Sequence, residues 1–275
     1  MKNVHIVTGG SSGIGLECAR HFKDGLVVLS SRGEEKLISA VETLKKEGIE
    51  AVYRTSDLSS EESIKDLFEY ASSLGNIKTI INSAGVSGSG GDTRFIFEVD
   101  LIGTENLIRQ SLDVVSGGSV LILIASMMGR MVPDNEAYDK YLMNPIEPGS
   151  IDALVNVVQD NSDTAYNFAK KGVQMLARKY VTEFGQKGAR ILSVSPGIIM
   201  TPMAKKAAEE HPEQMKYMEM MTPAGRNGVP SDIAYVVSFL ADDKASFITG
   251  TDILVDGGLT NRLPEIAKAR AAQNK

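Results

Sequence analysis

Tyr166 and Lys170 stand four positions apart, the spacing that brings two side chains to one face of a helix. A phenol has a free pKa of about 10, so taking a proton near neutrality requires lowering it by roughly 2–3 units, or about 3–4 kcal/mol. A nearby cation does this by stabilising the phenolate, and Lys170 is a cation at the required spacing. The same phenol, protonated, is a proton donor. Tyr138 and Tyr141 have no such partner, being followed four residues on by Leu142 and Pro145. Ser126 ends the apolar run Val120–Ala125, and a hydroxyl at the carboxyl end of a sheet strand is placed to meet a ligand.

A second constellation lies at the start of the chain, in Thr8-Gly9-Gly10-Ser11-Ser12-Gly13-Ile14-Gly15. Glycines at 9, 13 and 15 permit a tight turn and let the backbone approach a pyrophosphate at the start of a helix. The segment follows the first apolar run and opens an amphipathic one, which is the setting this motif requires. The next apolar run ends in Leu29-Ser30-Ser31-Arg32. An acid here would bond the ribose 2′-hydroxyl of NAD and repel a 2′-phosphate. Ser31 occupies that point, 16 residues beyond Gly15, and Arg32 follows. Serine with arginine suits a 2′-phosphate, so NADP(H) is favoured and NAD(H) stays open.

These residues need a scaffold that delivers them to one edge. The runs Val4–Thr8, Leu26–Ser30, Ala51–Thr55, Thr79–Asn82, Val120–Ala125, Arg190–Ser195 and Asp252–Val255 read as buried strands. Between most of them lie helical patterns at Ile14–Phe22, Glu34–Lys46, Glu61–Ser73, Thr93–Val115, Asp163–Phe184 and Ser231–Leu240. Apolar strands without alternation, separated by helices, imply a parallel sheet covered on both faces. The expected fold is a single-domain, Rossmann-like, doubly wound α/β fold over residues 1–275, with a seven-stranded, mostly parallel sheet. Two stretches interrupt the rhythm. Arg130–Ser162 carries prolines, a glycine and mixed charge, with a short extra helix expected at Ile151–Val158; the 200–229 loop holds Met203, Met215, Met218, Met220 and Met221. Long insertions in compact domains are usually functional, and both are expected as walls of a substrate pocket.

The ordered set Gly9-x3-Gly13-x-Gly15, Asn82-Ser83-Ala84-Gly85, Ser126, Tyr166-x3-Lys170 and Pro196-Gly197 resembles the short-chain dehydrogenase/reductase family, from Val4 to Gly258. The resemblance implies an NAD(P)(H)-dependent oxidoreductase interconverting a secondary alcohol and a ketone. Tyr166 would be the acid/base, Ser126 would bond the substrate oxygen, and Lys170 would also hold the nicotinamide ribose. Gly9, Ser11, Ser12, Gly13, Ile14 and Gly15 would cradle the pyrophosphate, with Ser31 and Arg32 on the adenosine ribose. Asp57 and Leu58 would touch the adenine, though Asp57 is equally well explained by the N-terminal region of the helix at Glu61. Asn82, Ala84 and Gly85 would line a ribose, and Pro196, Gly197, Ile199 and Thr201 would meet the carboxamide or phosphate. Family members usually assemble through their long helices, here Thr93–Val115 and Asp163–Phe184, so a homodimer or homotetramer is expected.

Three departures from the pattern stand out. Ser83 replaces a second asparagine. Asp100 stands where a helical asparagine usually helps hold a water in a proton relay. Ser126 and Tyr166 are 40 positions apart, a much longer gap than is common in the family. A similar insertion occurs in some bacterial 3α-hydroxysteroid dehydrogenase/carbonyl reductases. With the methionine-rich stretch, whose thioethers adapt to irregular shapes, it points to a bulky hydrophobic substrate such as a hydroxysteroid or bile acid. A 3-oxoacyl-carrier-protein reductase and a non-catalytic dinucleotide-binding sensor are the alternatives.

Composition bounds the rest. Hydrophobic residues make up 43% and charged residues 23% of 275, enough for a sizeable core. The 29 basic and 35 acidic residues leave a net charge of −6, which argues against nucleic acid or an anionic membrane as partner. Cys18 is the sole cysteine, so no intrachain disulfide can form; it reads as a buried bystander. No stretch reads as a signal peptide or membrane span, so a soluble cytoplasmic protein is expected. No metal site is expected, because His5, His21 and His211 lie far apart. The tail from Leu263 to Lys275 is helical in pattern.

Overall fold

In the computed structural model, which describes residues 2–88, 91–210 and 212–263, the seven apolar runs form one sheet. Its strands are β1 (Asn3–Thr8), β2 (Gly25–Ser31), β3 (Ala51–Thr55), β4 (Asn76–Asn82), β5 (Val120–Ile124), β6 (Arg190–Pro196) and β7 (Asp252–Val255). They pair in the order β3-β2-β1-β4-β5-β6-β7, and every pair is parallel. The chain builds outward from β1 to β3, returns to lay β4 against β1, and builds outward the other way. That reversal leaves a crevice at the carboxyl ends of β1 and β4, where such sheets bind ligands.

The helices are α1 (Gly13–Ala19), α2 (Glu34–Lys46), α3 (Glu61–Leu74), α4 (Thr93–Ile96), α5 (Gly103–Ser111), α6 (Met127–Arg130), α7 (Glu136–Met143), α8 (Ser150–Val157), α9 (Ser162–Lys179), α10 (Val181–Gln186), α11 (Pro202–Glu210), α12 (Pro212–Met221) and α13 (Pro230–Ala241). They cover both sheet faces, so strand residues are buried whichever way they point. On β5, Leu121 and Leu123 enter one core layer with Leu67, Phe97 and Leu176. Val120, Ile122 and Ile124 enter the other with Leu37, Leu44 and Val237. This is the physical basis of an apolar run with no alternation.

Three expectations are refined. The helix expected over Thr93–Val115 ends at Ser111 and contains a π-helical turn at Phe97–Ile102 between α4 and α5. The helix expected over Asp163–Phe184 breaks at Tyr180, between α9 and α10. The 200–229 loop is largely helical, as α11 and α12. The side chain of Met203, all of His211 and the tail from 264 onward lie outside the described residues.

The insertion between β5 and α9 corrects a larger expectation. It folds as α6, α7 and α8, and the last two are short helices laid along α9 and α4. Lys171 on α9 donates to the Pro133 carbonyl and pairs with Asp134 at 3.1 Å and Asp139 at 2.9 Å. Lys179 donates to the Met143 carbonyl and pairs at 2.7 Å with the buried Glu105 of α5. Tyr138 packs on Phe168 with ring centres 4.8 Å apart, and Arg94 on α4 pairs with Asp152 on α8. These anchors hold 130–162 against α9, with further contacts to α4 and α5.

Candidate active site

At the carboxyl edge of the sheet opens a cleft of about 770 Å³. Its floor begins where β1 ends. Gly9 turns there with φ +64°, and a Cβ on it would fall 2.6 Å from the Ser83 carbonyl oxygen, so conformation and space both require glycine. Ser11, Ser12, Gly13 and Ile14 continue the wall into α1. Gly15 does not line the cleft; a Cβ on it would lie 2.5 Å from the Gly9 carbonyl. Its smallness lets α1 rest on the turn.

Beyond β2, Ser31 and Arg32 both line the cleft. The Ser31 hydroxyl is buried with no protein hydrogen-bond partner, and the Arg32 side chain is exposed. A buried orphan hydroxyl beside a solvent-facing guanidinium fits the hydroxyl or phosphate of a ribose. Asp57 and Leu58 close this end. Asp57 Oδ1 accepts from the amide and hydroxyl of Ser59, shaping the turn before α3, whose N-cap is Ser60.

Ala84 and Gly85 after β4 line the middle, but Asn82 does not. Its Oδ1 accepts from Thr8 Oγ1 at 2.6 Å and its Nδ2 donates to Thr104 Oγ1 at 3.1 Å. Asn82 therefore fastens β1 and β4 to α5. Opposite, Pro196 at the end of β6 and Gly197, Ile199 and Thr201 after it form the far wall.

The reacting end is built from three elements. Ser126 caps α6, its Oγ accepting from the Met128 amide at 3.2 Å. Gln174 of α9 holds the Ser126 carbonyl at 2.9 Å. Asn161 caps α9 through the Thr164 amide, and the helix then presents Tyr166 and Lys170 to the same cleft. The Lys170 ammonium lies 5.4 Å from the Tyr166 ring centre and 3.0 Å from Asp100 Oδ2. Burial works against the Lys170 charge, but Asp100 and then Tyr166 outweigh it and hold the ammonium above the ordinary lysine range.

Sequence reasoning missed some of the cleft. Asp163 and Asn167 line it with Tyr166 and Lys170, and their spacings of three and four on one helix carried that signal. Val86, Met128, Ile198 and Pro202 give it apolar wall. None of 130–162 lines it, and among the described residues of the 200–229 loop the lining ones are Thr201, Pro202 and Ala204. The described methionines of α12 stand away from it. Cys18 is fully buried, which pushes its thiol up to about 12, so it is inert. Among the described residues no cluster of His, Cys, Asp or Glu is arranged to hold a metal, and no helix is long and apolar enough to cross a membrane.

Comparisons with known proteins place this arrangement in a class. The short chain dehydrogenase model matches residues 3–139, and a model described as enoyl-(acyl carrier protein) reductase matches residues 148–260. The chain belongs to the short-chain dehydrogenase/reductase family and is an oxidoreductase of that family. It is 30% identical to short-chain dehydrogenase/reductase bsc3 of Alternaria brassicicola, over 94% of this chain and 96% of the relative. It is also 30% identical to 3beta-hydroxysteroid dehydrogenase 1 of Eggerthella lenta, over 93% of this chain and 92% of the relative. A crystal structure of a variant of actinorhodin polyketide ketoreductase with NADPH superposes with a TM-score of 0.77 at 27% identity, covering 94% of this chain and 98% of that one.

Proposed function

We propose that this chain interconverts a secondary alcohol and a ketone on a bulky hydrophobic substrate such as a hydroxysteroid or bile acid, with NADP(H) as the preferred cofactor. The observation that carries the reading is the convergence of Ser126, Tyr166 and Lys170 on the same cleft as the glycine turn, Ser31 and Arg32. Gly9 to Ile14 would hold the pyrophosphate, Arg32 and Ser31 the adenosine ribose and its 2′-phosphate, and Lys170 the nicotinamide ribose. When bound, the nicotinamide supplies or accepts the hydride. Ser126 orients the substrate oxygen, and Tyr166 gives that oxygen a proton in reduction or takes it in oxidation. Val86, Met128, Ile198 and Pro202 offer the apolar surface that a rigid hydrophobic substrate needs.

A homo-oligomer accompanies this reading. β7 ends the sheet, and Tyr235, Phe239 and Phe247 are exposed, Phe247 fully so. An open strand edge and exposed large aromatic side chains are features that proteins usually cover. The acyl-carrier name of the second family model keeps an acyl thioester substrate as the second reading.

The test is a panel of steroids, bile acids, simple ketones and acyl thioesters, followed by the absorbance of reduced nicotinamide with NADPH and NADH in parallel. Turnover of steroid or bile-acid members with NADPH is the expected result. Turnover confined to acyl thioesters supports the second reading. Silence throughout, with cofactor binding retained, returns the chain to the sensor class.

A further inference from the structure

Asp100 and Lys170 form an ion pair inside the protein. Asp100 is 1% exposed; its Oδ1 accepts from the Val86 amide at 2.8 Å. Its Oδ2 faces Lys170 Nζ at 3.0 Å and makes no other contact of hydrogen-bond quality. The π-helical turn Phe97–Ile102 aims the carboxylate, and such turns concentrate at functional sites. The Gly85 backbone closes the pair from the side, since a Cβ there would lie 3.1 Å from both carboxylate oxygens and 3.2 Å from Nζ.

This carboxylate stands against the very cation that is to stabilise a phenolate at Tyr166. The ionisable groups acting on Lys170 are Asp100, from the π-helical turn, and Tyr166, from α9 itself. From α6, Arg130 turns away to Asp252, and the turn at 85–88 presents uncharged residues. Asp163 lines the cleft one turn before Tyr166. With Asp100 ionised, the three groups Asp100, Lys170 and Tyr166 carry no net charge while Tyr166 is protonated, and one negative charge once it is not. With a neutral residue at 100 the same proton would leave a positively charged set. Losing a proton from the neutral set is harder.

We propose that Asp100 is a positioning residue that cancels the field of Lys170 and keeps the proton on the Tyr166–Lys170 pair, so that at neutral pH the site acts as a proton donor in carbonyl reduction. This rests on Tyr166 being the acid/base of the reading above. In that direction the carbonyl carbon accepts the hydride supplied by the reduced nicotinamide, and the C=O π pair moves to oxygen. The oxygen takes the Tyr166 proton, giving the alcohol and an oxidised cofactor, and the phenol is refilled from solvent.

The primary test needs no substrate. Phenolate absorbance is titrated in the cofactor-free full chain and in Asp100→Asn, each read as the difference from the same chain carrying Tyr166→Phe. Asparagine keeps an oxygen for the Val86 amide and removes only the charge. The transition is expected to fall by about one unit in Asp100→Asn, about a tenfold larger deprotonated fraction at a fixed pH below it. The pH limb shared by reduction and oxidation of the ketone that the panel identifies is expected to fall with it. A transition unmoved or raised overturns the proposal. Should Asp100→Asn not fold, Asp100→Ser is titrated in its place, and a transition unmoved or raised there overturns the proposal. Full turnover by Tyr166→Phe overturns the underlying reading and this proposal with it. An inert Tyr166→Phe with an unmoved transition overturns the role of Asp100 alone.

Discussion

Lys170 holds its ammonium 5.4 Å from the centre of the Tyr166 ring, one helical turn further along α9. Both side chains face the cleft, and no second tyrosine in the chain has a lysine in that relation. Replacing Tyr166 with Phe removes the proton donor and leaves the ring and its packing. Turnover is expected to fall by about 10²–10⁴-fold, with cofactor affinity nearly unchanged. Rates of the order of the parent chain in a steady-state assay would refute Tyr166 as the acid/base.

Arg32 tests the cofactor preference. Its guanidinium stands beside the orphan Ser31 hydroxyl, and a charge-assisted bond to phosphate contributes about 1.5–3 kcal/mol. Arg32→Ala is therefore expected to weaken NADPH binding by about tenfold or more and to leave NADH binding close to its starting value. Fluorescence titration with the two cofactors separates the outcomes; equal losses make Arg32 a bystander.

The anchoring of the insertion predicts a stability effect. Glu105 is fully buried, and its Oε1 accepts from both Lys179 and the Tyr180 hydroxyl at 2.7 Å. Lys179→Ala leaves that buried carboxylate only the Tyr180 hydroxyl and frees the Met143 carbonyl, so unfolding free energy is expected to fall by about 3 kcal/mol. Urea unfolding monitored by circular dichroism measures it. A loss within about 0.5 kcal/mol, the range of ordinary surface changes, would show that this anchor contributes little.

His5 gives the fold a dependence on pH. It stacks on Phe22 with ring centres 4.5 Å apart, and burial lowers its proton affinity despite the opposing pull of Asp24. The unfolded chain takes up this proton at about pH 6.5, where the folded chain still resists it. The associated stability is complete above about pH 6.5 and declines as pH falls from there towards the lowered folded value. His5→Phe is expected to flatten this part of the stability profile. An unchanged slope below about pH 6.5 in thermal melts would assign the acid sensitivity to carboxylates.

Much of the scaffold was legible because burial on two faces leaves a plain mark. The run Val120–Ile124 has no polar residue to alternate with, and it reads as a central strand before any coordinates are known. The glycine turn was legible for the same kind of reason. Only glycine tolerates the φ of +64° at residue 9 and the approach of Ser83, so the chemistry of the turn is written in the residue type. Asn82 and Gly15 were harder to place. Both sit inside the motif, yet one fastens strands through Thr8 and Thr104 and the other seats a helix.

The sequence by itself determined the strands, the switch-point turn, and the pairing of Tyr166 with Lys170, because each depends on spacing within one or two elements. Only the tertiary structure decided where the insertion goes and what Asp100 does. The insertion was expected to wall the cleft; Lys171 and Lys179 instead draw it onto the flank of α9 through partners far away in sequence. Asp100 lies 70 residues before Lys170, on a helix whose π-helical turn no periodicity announces. Its carboxylate meets that ammonium because the π-helical turn and α9 pack together in three dimensions, and charge–charge contact depends on distance in space alone.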